Sequence, residues 1–147
     1  MARGFRFPLE RVLDYRRQQE EQARMAVARA LAAHRAQQAE LDGLRQALER
    51  HMASLYGGAQ ITENDLWLWR RYRVRLEEDI ALAERRLMQL GRELTQARQD
   101  LVARAREKKL LERLRAVQEQ AHRTSENQKE QRESDEMATL RYGREAV

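Results

Sequence analysis

The stretch LWLWRRYRVRLEEDIALAERRLMQLGRELTQARQDLVARAREKKLL, Leu66 to Leu111, decides the fold. Alternating steps of three and four residues along it visit Leu66, Trp69, Arg73, Leu76, Ile80, Ala83, Leu87, Leu90, Leu94, Ala97, Leu101, Arg104, Lys108 and Leu111. Eleven of these fourteen positions are apolar. That spacing keeps one seam of a helix turned toward a partner helix.

A second seam lies upstream: Leu9, Leu13, Arg16, Glu20, Ala23, Val27, Ala30, His34, Gln37, Leu41, Leu44, Leu48, His51 and Leu55, with nine of fourteen positions apolar. Pro8 suits the first turn of its helix, because the missing N–H would have no partner there. The periodicity stops at Tyr56-Gly57-Gly58, where glycine tolerates the backbone that closes a helix. Thr62 then precedes Glu63, Asn64 and Asp65, so a threonine cap faces an acid three residues on. These signals predict a helix over about 8–56, a loop over 57–62 and a second helix over about 63–142.

Composition agrees. Of 147 residues, 36% are charged and 5% aromatic, and the chain has one proline. Such a mixture suits long helices with a narrow apolar seam better than a thick globular core. Without cysteine there is neither disulfide nor thiolate metal site. No apolar run is long enough for a membrane span, and the first residues lack the apolar core of a secretion signal. The net charge of +5 comes from 29 basic and 24 acidic residues interspersed along the chain, the pattern of a solvated helix surface.

A short loop forces the two helices to run antiparallel. The fold class is therefore all-α: a single domain over 1–147, a long antiparallel two-stranded coiled-coil hairpin with an overhanging C-terminal helix. If Leu55 faces Leu66, equal rise puts Leu9 opposite residue 112, giving a paired section about 70 Å long. The overhang then begins at about residue 113. Near 104–110 the apolar residues shift to a displaced stripe, Leu110, Leu114, Val117 and Ala121. Arg16 and Glu20 fall roughly opposite Arg104 and Lys108, so a Glu20–Arg104 contact is expected at a weaker open end.

The sequence offers little to a catalyst. His34, His51 and His122 are far apart, with no second histidine one helical turn away to make a zinc pair. Glu77, Glu78 and Asp79 are consecutive and diverge around a helix. No phosphate loop follows Gly57-Gly58. Neither enzyme activity, cofactor nor metal is expected. Three features could bind other molecules. Residues 67–75 hold both tryptophans with Arg70, Arg71, Tyr72, Arg73 and Arg75; Trp67 and Tyr72 fall off the seam and should be partly exposed, as hot-spot residues are, or else cap the hairpin by packing on Leu55 and Tyr56. The overhang carries the displaced stripe. Phe5, Phe7 and Leu9 could form an end cap against Leu110 to Leu114.

The opening Phe5-Arg6-Phe7-Pro8-Leu9-Glu10-Arg11-Val12-Leu13-Asp14-Tyr15-Arg16 resembles the start of the flagellar export protein FliJ family. So do Arg106-Glu107-Lys108-Lys109 with Leu111-Glu112-Arg113-Leu114, and the tail Gln128-Lys129-Glu130 with Asp135-Glu136 and Ala138. The resemblance implies a non-enzymatic component of the flagellar type III export apparatus, similar to the coiled-coil stalk of the rotary ATPase gamma subunit. It implies a central stalk that binds the hexameric, FliI-like export ATPase, contacts the cytoplasmic part of the FlhA-like export gate and escorts export chaperones. The implied location is the cytoplasmic face of the inner membrane at the flagellar base, without membrane insertion and without nucleic acid. The implied gate contact falls on Tyr72 and Leu76, joined by Trp67 of the aromatic cluster; its later family positions are occupied here by Asp79 and Ala83. The ATPase-facing end would comprise Arg104, Lys108, Lys109, Leu110, Leu114, Arg115 and Val117. The stalk of a virulence secretion system would have the same fold and other partners. A nucleic-acid-binding coiled coil predicts binding that falls steeply with salt, and a scaffold filament predicts growth in mass with concentration.

Overall fold

A computed structural model describes residues 4–57 and 60–145. Among them there are two helices, α1 (Glu10–Ser54) and α2 (Glu63–Glu145), and no strand. The helices pack against each other as a hairpin, the all-α coiled-coil architecture that the two seams predict.

Local chemistry sets the helix ends. Pro8 and Leu9 form a turn, closed by the Glu10 N–H donating to the Phe7 carbonyl at 3.1 Å, and Leu13 N–H bonds back to Leu9 at 2.9 Å. α1 ends as the Tyr56 and Gly57 N–H groups reach back to the carbonyls of Ala53 and Ser54. Gly58, the second glycine of the expected stop signal, lies outside the described residues. At the start of α2 the Asp65 N–H donates to Thr62 Oγ1 at 3.1 Å while the Thr62 N–H donates to Asp65 Oδ2 at 3.2 Å. This reciprocal box satisfies two backbone donors that the first helical turn leaves without partners.

The seams hold almost position for position. Every one of the twenty-eight seam residues except Leu9 is buried or half-buried. The contacts cluster in two units, residues 22–102 and residues 1–21 with 103–147. The first unit has a mostly apolar seam with Leu41, Leu76, Ala83 and Leu94 buried. One polar residue, Gln37, is buried with them, and its Nε2 donates to the Ala83 carbonyl at 3.2 Å. An amide in that place fixes register, because a slip would strand it without a partner.

In the second unit Phe7, Leu13 and Glu20 are buried. Here the structure corrects three expectations. Glu20 pairs with Lys108 rather than Arg104, while Glu107 gathers Arg16 at 2.7 Å and Arg104 at 3.5 Å. The α2 seam does not slip. It continues from Lys108 and Leu111 through Arg115, Gln118 and His122, all half-buried, whereas Leu110, Leu114, Val117 and Ala121 are exposed. Long arginine and glutamine side chains can cover a seam with their stems while the polar ends reach water, which apolar counting overlooks.

The third correction concerns length. Glu10 Oε2 accepts from Arg115 Nε at 3.1 Å, and the Phe5 ring lies 5.8 Å from that of His122. Packing on α2 therefore reaches His122, past the expected start of the overhang at 113. The Phe5–Phe7 segment is not helical. A non-helical segment can advance up to about 3.3 Å per residue instead of 1.5 Å, so it can cover more of α2 than a helical count allows. Phe5 thus meets Arg115 and His122, the Arg115 guanidinium lying 5.8 Å from the Phe5 ring, while Phe7 is buried.

Candidate protein-binding surfaces

The aromatic cluster of α2 is built on one exchange across the seam. Trp69 Nε1 donates to the His51 carbonyl at 3.0 Å, and His51 Nε2 donates to the Trp69 carbonyl at 2.8 Å. The two rings stack at 4.9 Å, and Tyr72 meets the His51 ring edge-on at 4.7 Å. The histidine thus acts as a structural clasp that orients Tyr72, with half of the tyrosine (51%) left in solvent. Sequence reading placed His51 on the seam but could not foresee this clasp, since a histidine there carries no signal of its partner.

Trp67 is exposed at 55%, and the Arg71 guanidinium lies 5.1 Å from its ring. With Leu68, Arg70, Tyr72, Val74, Arg75 and Glu78 these residues line a shallow depression of about 740 Å³ on the surface of α2. Aromatic rings beside arginines supply large contact area at low entropic cost. Leu76, expected to join them, is only 4% exposed and belongs to the seam. Asp79 is half-buried and Ala83 buried. Of the residues implied for the gate contact, Trp67 and Tyr72 therefore offer surface. Leu76 acts from beneath by holding the helix that carries them.

The residues expected at the other site divide in the same way. Lys108 is held by buried Glu20, Arg104 by Glu107, and Arg115 by Glu10 and Glu119. Lys109, Leu110, Leu114 and Val117 are exposed, Leu110 at 65% and Val117 at 66%. A single helix thus presents two kinds of residue: charges that close the hairpin, and an aliphatic stripe on the outside.

Among the described residues no group of three His, Asp or Glu side chains sits close enough to hold a metal ion, and no helix is long and apolar enough to cross a membrane. What the fold defines is a coiled-coil hairpin. A family comparison makes this specific. Residues 5–146 match the family described as flagellar FliJ protein, and the chain belongs to that family, a component of the flagellar export apparatus. Comparison with curated proteins and comparison with solved structures each gave no match.

Proposed function

We propose that the chain is a non-catalytic stalk of the flagellar export apparatus, joining the hexameric export ATPase to the export gate and escorting export chaperones at the cytoplasmic face of the inner membrane. The observation that carries this reading is the family match over 5–146 on a chain whose helices form a coiled-coil hairpin. Two helices side by side are narrow enough for the middle of a ring, and each unit offers a different surface to a partner. Trp67 and Tyr72 face the gate. Lys109, Leu110, Leu114 and Val117 face the ATPase, with Arg104, Lys108 and Arg115 holding that section closed.

Gate and ATPase binding separate by substitution. Tyr72→Ala should weaken capture of the gate's cytoplasmic domain by about tenfold or more, the scale of an interface hot spot, with the hairpin still folded and only a small drop in melting temperature from the lost ring contact with His51. Leu76→Ala should lower the melting temperature as well, since its side chain is buried. Calorimetric titration and thermal melts followed by circular dichroism read the two effects. Unchanged gate affinity in Tyr72→Ala removes the gate assignment. A pull-down from the native cell in which no hexameric ATPase is recovered with the full chain removes the stalk reading.

A further inference from the structure

The two sides of the hairpin differ in the unit formed by residues 1–21 and 103–147. With seam residues written as heptad positions a and d, Leu13, Glu20, Lys108 and Arg115 are a, and Arg16, Leu111 and Gln118 are d. In an antiparallel pair the e positions of both helices share one side and the g positions share the other. Arg17 and Glu112 are both e and lie 4.0 Å apart. Glu10 and Glu119, also e, flank Arg115. That side is charged, as a solvated flank should be.

The opposite side is mostly apolar. Val12 and Leu114 are g, while Tyr15, Leu110 and Val117 are c, and all five are exposed. The ion pairs Glu10–Arg115 and Arg16–Glu107 set the register. They bring Val12 to the level of Leu114 and Tyr15 to the level of Leu110. Both helices therefore contribute apolar residues to one flank. The stripe on α2 alone is half of a face that α1 completes.

We infer that this two-helix face is a docking groove for a third, amphipathic helix with acidic flanks. Residues c and g on two neighbouring helices are the positions that a third helix covers when a hairpin becomes a three-helix bundle, at an interaxial distance of about 8–10 Å. Charge selects the occupant. The f positions that rim the face are Arg11, Arg106 and Arg113 with Gln18 and Gln120, and none is acidic. The one acid within the face, Glu107, is neutralised by Arg16 and Arg104. A second copy would bring its own arginine rim against this one, and like charges there oppose self-association. The face holds no tryptophan, which fits a helix better than a bilayer surface. The inference deepens the assignment of this end to the ATPase: it names the element that docks.

The test uses the full chain and a fluorescent three-heptad peptide with leucine at a and d and glutamate at e and g. Anisotropy should report saturable binding, weakened at least about tenfold by Leu110→Glu and equally by Val12→Glu, and weakened likewise when the peptide's glutamates are replaced by lysine. Circular dichroism confirms that the variants stay helical, as exposed positions allow. Four results overturn the inference: no binding of the acidic peptide; binding that ignores Val12→Glu; concentration-dependent dimerisation abolished by the same substitutions; or capture by phosphatidylglycerol vesicles in place of the peptide. ATPase recovered in the pull-down without peptide binding sinks only the groove. Peptide binding without ATPase sinks only the partner assignment.

Discussion

Residues 22–102 and the unit formed by 1–21 with 103–147 use the same heptad spacing and hold it by different physics. In the first, Leu41, Leu76 and Leu94 are buried, and a single amide, Gln37, fixes register. In the second, Arg16, Glu20, Arg104, Lys108 and Arg115 occupy seam positions and are joined as ion pairs to each other or to Glu10 and Glu107. Seam geometry and seam energy are therefore separable. Apolar burial is stabilising at any ionic strength, whereas charges in a seam must overcome the cost of leaving water. The first section is suited to permanence, and the second to a joint that conditions or partners can adjust.

The largest effect should come from the apolar section. Leu41 is fully buried, and Leu41→Ala removes its contacts and leaves a cavity, costing about 2–5 kcal/mol. Urea unfolding followed by circular dichroism measures it. An effect as small as that of a surface substitution would mean that this section is not the stable part of the molecule, and the contrast would collapse.

The next effect sharpens the contrast from the charged side. Lys108→Met takes away the lysine that buried Glu20 faces and should destabilise by up to about 3 kcal/mol. Glu20→Leu combined with Lys108→Leu should restore wild-type stability or exceed it, because a well-packed apolar pair bears no desolvation cost. If the double variant is as weak as the single one, the pair contributes attraction beyond its desolvation, and the section is not the looser of the two.

Much of this was legible beforehand, for identifiable reasons. The apolar seam is a local, periodic signal, and Leu66 to Leu101 is half-buried or buried at each expected position. The Thr62–Asp65 cap is encoded within four residues, and its hydrogen bonds are those the residue types suggest. The charged continuation was hidden, because counting apolar residues alone follows Leu110, Leu114 and Val117 away from the seam that Arg115, Gln118 and His122 carry on. The surfaces were half legible. The exposure of Trp67 and Tyr72 follows from their being off the seam, but the His51 clasp and the α1 share of the aliphatic face depend on register. Register comes from pairing that no single helix contains.

The smallest effect is the most discriminating, because it leaves the sequence untouched. Raising sodium chloride from 0.01 M to 1 M shortens the Debye length from about 30 Å to about 3 Å. Partly exposed pairs such as Arg17–Glu112 and Glu10–Arg115 contribute about 0.2–1 kcal/mol each and are the ones that salt weakens. Hydrogen exchange read by mass spectrometry should therefore show amides of residues 104–115 losing protection severalfold across that range. Amides of residues 87–94, beneath an apolar seam, should hold theirs or gain slightly, since high salt strengthens apolar burial. Because both sections belong to one chain in one tube, a uniform change in both would mean that salt acts on global unfolding. Only a divergence between them would locate the adjustable joint in the charged section.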